Sequence, residues 1–309
     1  MIRTDVKLEN AGYVAEFRSD IGGNCYRLYH KPTGAELLRT PKDEKELFSQ
    51  VFLFGNAILF PPNRIRNGEF EFDGRKYSFP INEPKTNSHL HGALYKMPFK
   101  TVAQTENHVE FLYEAKSGEY LDFPHDFRVL RSYTLDESGL TESVKVFNDS
   151  QNKMPFMLAF HTTFNIPFAP GACEENCYMK VAVGKEHLRD EKYLPTLEYA
   201  SGREREDELN SGKYQISKCA LSAFYDNFDS KSEILDTGAG LKIVYEGSEE
   251  YKYRMLWVKE GGNLAVIEPQ TCAIDCFHLE ETADKKGLVV IEPSASKEFI
   301  TKFSISPII

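Results

Sequence analysis

Short runs of β-branched and aromatic residues, each set off by turn residues, recur along most of this chain and leave little room for any architecture but an all-β one. Gly12 to Phe17, Cys25 to His30, His108 to Glu114, Phe127 to Thr134, Ser143 to Asn148, Leu241 to Tyr245, Tyr253 to Lys259 and Gly287 to Glu292 all have this form. The clearest hairpin is Gly68 to Phe79, where Phe70/Phe72 and Tyr77/Phe79 alternate with polar residues on either side of Asp73-Gly74, a dipeptide that accepts the positive φ of a tight turn. Further turns are expected at Pro32-Thr33-Gly34 and Asp136-Glu137-Ser138-Gly139. Helix signals are confined to about two turns from Asp43 to Gln50 and about one from Asp207 to Gly212. The pattern predicts an all-β sandwich with few short helices.

The chain has 309 residues, enough for one large β domain or two ordinary ones. No flexible linker, low-complexity tract or repeat of fixed period divides it. The polar clusters run from residue 63 to residue 268, so a boundary between them would split the chemistry; residues 1–309 are read as a single domain. Formal charge is −10, with the acids spread along the chain, which argues against nucleic acid and anionic membranes as partners. No window approaches the roughly 18 apolar residues of a membrane span. Met1 to Lys7 is too polar for a signal peptide, and the protein is expected in the cytoplasm. The mixed charges of Arg203 to Glu208 read as a solvated loop or short helix. The six cysteines are expected as free thiols, because the two C-x₃-C pairs, Cys173/Cys177 and Cys272/Cys276, match zinc-ribbon spacing poorly; no metal is expected.

Several polar groups stand in contexts that suggest chemistry. Leu264 to Ile267 reads as a buried strand between Gly261-Gly262 and Pro269, ending at Glu268, and a carboxylate there must be solvated, paired or working. His161 closes the apolar run from Met157, where burial demands a partner for each ring nitrogen; a satisfied core histidine and a catalytic one fit equally. Arg64, between Pro61-Pro62 and Ile65, fits a structural clamp or a rigid fork for ligand hydroxyls. In Asn87-Ser88-His89-Leu90-His91-Gly92, the two histidines at i and i+2 of an extended segment are expected on one face, and Gly92 permits a close backbone approach.

Taken in order, Asn63-Arg64-Ile65, Gly68-x-Phe70-x-Phe72-x-Gly74-x-x-Tyr77, Leu90-His91-Gly92, His161-x-x-Phe164-Asn165, Tyr225-Asp226-Asn227-Phe228 and Glu268-Pro269-Gln270-Thr271 resemble the aldose 1-epimerases, or galactose mutarotases, over about residues 50 to 280. The resemblance implies a large antiparallel β-sandwich, the galactose mutarotase-like supersandwich, with a sugar cleft and no metal or organic cofactor. It assigns Glu268 as general base, His161 as general acid, His91 as an aid at the ring oxygen, and Arg64 and Asp226 as holders of sugar hydroxyls. His89 joins the binding set by proximity, and Asp229 is an alternative to Asp226. Of the two Ile-Glu-Pro segments, the resemblance selects Glu268 and leaves Glu292 a structural role. Phe160, Cys272 to Cys276 and Pro293 to Ser296 depart from the family pattern and bear on which sugar is taken.

The implied reaction interconverts α and β anomers of an aldohexose. A base takes the C1 hydroxyl proton while an acid protonates the ring oxygen; the ring opens, the C1–C2 bond rotates, and closure delivers either face. A non-catalytic sugar-binding module of the same fold is the principal rival. A glycoside hydrolase would need a second opposed carboxylate beside Glu268. A phosphorylated hexose is a further substrate candidate, because Arg64, Arg66 and Lys85 are cationic and close in sequence.

Overall fold

The protein, described here by a computed structural model over residues 2–259, 261–280 and 286–308, is an antiparallel β-sandwich. A 14-stranded sheet runs in the order Lys100–Gln104, His108–Ala115, Phe127–Asp136, Gly139–Asn148, Ser296–Pro307, Leu241–Gly247, Leu221–Asp236, Tyr253–Val258, Leu264–Gln270, Ala159–Asn165 and Asn56–Leu59. Cys177–Arg189 adds to it alongside Leu221–Asp236 and carries Pro195–Ala200 and Tyr214–Gln215 on its other edge. A four-stranded sheet formed by Val6–Glu9, Tyr13–Arg18, Asn24–His30 and Ala35–Glu36 contributes Leu8, Phe17 and Leu28 to the shared core.

Alternation explains most of these strands. Phe127–Asp136 buries every second side chain, from Phe127 to Leu135, which is the signature of a sheet with one packed face. The Asp73-Gly74 turn forms as expected, with φ values of 51° and 70°, and joins Glu69–Phe72 to Arg75–Ser78. Asp43 caps the helix Glu44–Ser49 by accepting from the Glu46 N–H.

Three expectations need correction. The second helix spans Glu204–Ser211 and starts earlier than Asp207, because Glu206 reaches back to the Arg203 N–H and closes the first turn. Its charges are not simply solvated: Glu206 is buried against Arg203 and the Tyr225 hydroxyl, while Arg203 and Arg205 both hold Glu186. The strand expected to end at Glu268 continues through Pro269 to Gln270. Pro269 is tolerated because the ladder to Ala159–Asn165 is interrupted there, between Ala159↔Gln270 and Thr162↔Ile267, so no N–H is demanded of it.

The sandwich interior holds a buried polar cluster. Arg131 and Glu142 form a fully buried ion pair at 2.6 Å; the guanidinium also donates to the carbonyls of Gly22 and Asn56, and the carboxylate accepts from Asn56 Nδ2 and Thr301 Oγ1. Asn56 in turn accepts from Thr162, the residue after His161, which fixes the strand carrying that histidine. No helix among the described residues is long and apolar enough to cross a membrane.

Candidate active site

Four of the six candidate residues converge on one cavity of about 460 Å³, lined by Arg64, His91, His161 and Glu268 together with Phe52, Asn63, Glu83, Arg189, Tyr193, Ser222, Met255 and Trp257. Sheet register accounts for the central pair. The pairings on either side of the ladder gap, Ala159↔Gln270 and Thr162↔Ile267, keep one register and so set His161 opposite Glu268 on adjacent strands. Opposed residues in a sheet share a face. Glu268 also pairs with Met255, and Trp257 lies two residues further along the same strand with Ser222 opposite it, so all of these project to one side.

His161 Nε2 lies 3.6 Å from Glu268 Oε1, and both side chains are nearly inaccessible. Glu268 Oε2 accepts from Gln270 Nε2 at 2.8 Å. Burial pushes the Glu268 carboxyl up to about 8, while Gln270 and the guanidiniums of Arg189 and Arg64 act in the opposite direction. Burial also pulls the His161 imidazole down to about 4. Phe52 packs edge-on against the His161 ring at 5.1 Å, and Thr163 Oγ1 lies 3.4 Å from Nδ1.

His91 is held by its own backbone neighbourhood. Its N–H donates to the Asn63 carbonyl and its Nδ1 accepts from the Asn63 N–H, so in the neutral ring the hydrogen resides on Nε2. Burial, with the positive neighbours His161 and Arg64, holds this imidazole well below the usual histidine range. What approaches Gly92 is the Phe60 carbonyl: a Cβ there would lie 1.7 Å from that oxygen, and φ is +61°. Arg64 donates through Nε and Nη2 to both oxygens of Glu83, and its guanidinium stacks on Tyr193 at 4.6 Å. It thus acts as a clamp on Glu83 while bordering the cavity.

The other two candidates lie elsewhere. His89 does not share a face with His91, because the extended strand stops at Leu90 and His91 has φ +61°, which breaks the alternation. The His89 ring stacks on Phe79 and its Nδ1 donates to the Pro80 carbonyl, away from the cavity. Asp226 accepts from His187 Nε2 at 2.7 Å, and that histidine is boxed by the rings of Phe224, Tyr253 and Tyr199. Asp229 is exposed and accepts from the Lys231 N–H within the same strand. Neither aspartate lines the cavity. Among the described residues no cluster of three or more histidine, cysteine or acidic side chains is arranged to hold a metal ion.

Sequence reasoning missed Arg189, Tyr193, Ser222, Met255 and Trp257. Trp257 had a usable signal, as the one tryptophan of the chain on an expected strand. Arg189 had none, because the strand it ends was not recognised.

Residues 4–304 match the aldose 1-epimerase family. The chain belongs to that family. A galactose mutarotase-like protein from Clostridium acetobutylicum superposes with a TM-score of 0.91 at 28% identity, covering 97% of this chain and 94% of the other. A putative aldose 1-epimerase from Escherichia coli K12 shares the fold, with a TM-score of 0.81 at 18% identity and coverage of 97% and 98%. Galactose mutarotase of Rattus norvegicus is 31% identical over 116 residues, which is 37% of this chain and 32% of the rat protein. The uncharacterized protein YphB of Escherichia coli is 27% identical over 119 residues, 37% of this chain and 39% of that one. The matched stretches therefore span well under two thirds of either curated relative.

Proposed function

We propose that the protein is an aldose 1-epimerase, with Glu268 as general base, His161 as general acid and His91 as a neutral donor to the ring oxygen. The observation that carries this reading is the opposed carboxylate and imidazole at 3.6 Å, whose pKa values burial drives past each other. Family membership supports the class of reaction.

The pair holds one shared proton between about pH 4 and about pH 8. Ring opening begins from Glu268 carboxylate and His161 imidazolium. The carboxylate takes the proton of the C1 hydroxyl, the imidazolium gives its proton to the ring oxygen, and the C1–O5 bond breaks as the C1 carbonyl forms. Both protein groups are then neutral, which is the arrangement a dry site favours. Rotation about C1–C2 followed by the reverse transfers closes the ring on the other face and restores the starting pair. Arg64 and Arg189 offset the cost of the charged stage by stabilising the carboxylate. The Nε2–H of His91 stays available as a donor because Asn63 occupies Nδ1.

Purified protein is expected to accelerate the optical-rotation change of a freshly dissolved α-aldose. The panel should include neutral, carboxylated and phosphorylated sugars, and failure to accelerate any of them would leave a sugar-binding module as the function. The pH dependence follows with a definite sign. Below about 4 His161 takes up a second proton and Glu268 is no longer a base; above about 8 the pair loses its last proton and no acid remains. A bell-shaped profile of kcat/KM with limbs near those values is expected from initial polarimetric rates. A profile still rising above pH 9 would contradict a one-proton pair.

A further inference from the structure

We propose that the cavity takes an aldose bearing an anionic substituent, a carboxylate or a phosphate, and that Arg189 receives that group. The inference rests on the reading of the cavity as a sugar-processing site and names the class of sugar.

The guanidinium of Arg189 is held on a rigid mount. Its Nη2 donates to the Ser222 carbonyl at 2.6 Å and to the Ser222 hydroxyl at 3.2 Å, and the Tyr193 ring lies 5.8 Å from its Cζ. Nη1 faces only the Met255 sulfur at 3.8 Å, a weak acceptor, and Nε has no hydrogen-bond partner among the described residues. No carboxylate lies within ion-pair distance of this half-buried guanidinium among those residues. The acidic groups around it are committed elsewhere: Glu186 to Arg203 and Arg205, and Glu83 to Arg64. Glu268 and His161, with one proton between them, are together neutral at neutral pH. Beyond that neutral pair, the cavity contains two guanidiniums against the one carboxylate of Glu83, an excess of positive charge that a neutral sugar does not require.

The other cations are poor substitutes. Arg64 spends Nε and Nη2 on Glu83, and Arg66 is bound through its N–H and Nε to Asp275. Lys85 is exposed and off the cavity wall. Arg189 stands beside Ser222, which pairs with Trp257, whereas Glu268 pairs with Met255 two residues along the same strand. A sugar with its anomeric centre between Glu268 and His161 therefore directs a substituent from the other end of the molecule toward this fork, whose geometry suits two-point contact with a carboxylate or phosphate.

Trp257, the single tryptophan, lines the cavity and reports occupancy without turnover. Glucose, glucuronate and glucose 6-phosphate would be titrated at constant ionic strength while following its fluorescence, with wild type, Arg189→Met and Arg189→Lys. At least one charged aldose should bind wild type about tenfold or more tightly than glucose, and the one that does identifies carboxylate or phosphate. In Arg189→Met that ratio should fall to near one. If the methionine variant does not fold, Arg189→Lys, which keeps charge but loses the fork, should still lower the ratio several-fold. Equal binding of charged and neutral aldoses by wild type, or a preference unchanged in the variants, overturns the proposal. Polarimetry on the same sugars separates the two readings: an Arg189-dependent preference without acceleration sinks only the epimerase reading, and acceleration without preference sinks only this one.

Discussion

Glu268→Gln is expected to lower kcat/KM for anomer interconversion by about 10³-fold, within the range typical of losing a positioned proton acceptor. The substitution is nearly isosteric. Gln270 Nε2 would still find an amide oxygen to bond, and the segment's pairing with Met255 and Leu256 does not involve the side chain. A neutral amide also escapes the burial that strains the ionised carboxylate, so folding stability should hold or rise slightly. The variant must therefore be compared by three readings: polarimetric rate, Trp257 fluorescence on sugar addition, and the urea midpoint. Loss of rate with retained binding and stability is the expected set. A rate within tenfold of wild type across the pH range would remove Glu268 from the chemistry and leave the cavity as a binding site.

The second large effect concerns the frame. Glu142→Ala should destabilise the fold by about 3–5 kcal/mol, because it strands the fully buried Arg131 guanidinium without its counter-charge. Asn56 Nδ2 and Thr301 Oγ1 lose their acceptor in the same step, and Asn56 braces Thr162 beside His161. Urea unfolding followed by far-UV circular dichroism reads the change. The paired replacement Arg131→Met with Glu142→Leu should recover much of the loss, since an apolar pair of similar bulk avoids the stranded charge. A Glu142→Ala protein within 1 kcal/mol of wild type would show that water reaches this interior and solvates the arginine.

The fold was legible wherever local pattern and tertiary demand coincide. The Asp73-Gly74 hairpin and the alternating Phe127 strand declare themselves because one face of each is buried and one is not. Leu221–Asp236 did not, since its middle from Asp226 to Ser232 is polar except for Phe228 and reads as a loop until its neighbouring strands supply the ladder. Cys177–Arg189 was hidden because its alternation of Cys177, Met179, Val181 and Val183 breaks at Lys185 and Glu186, where the register shifts, and Arg189 was lost with it.

The candidate site divides along the same line. Motif order brought Arg64, His91, His161 and Glu268 to one cavity, yet the direction of a side chain depends on details no motif carries. A single left-handed residue turns His91 away from His89, and one histidine on a neighbouring strand, His187, takes the carboxylate of Asp226.

The ladder that faces His161 with Glu268 also divides labour within the molecule. The two proton carriers ride on hydrogen-bonded neighbours, where slipping by one position would send an entire side-chain set to the opposite surface. The region from Arg189 to Tyr193 sits at the end of its strand, outside that constraint. Changes of diet within such a scaffold are therefore easiest at the rim, by exchanging what greets the far end of the sugar while the reactive centre keeps its spacing.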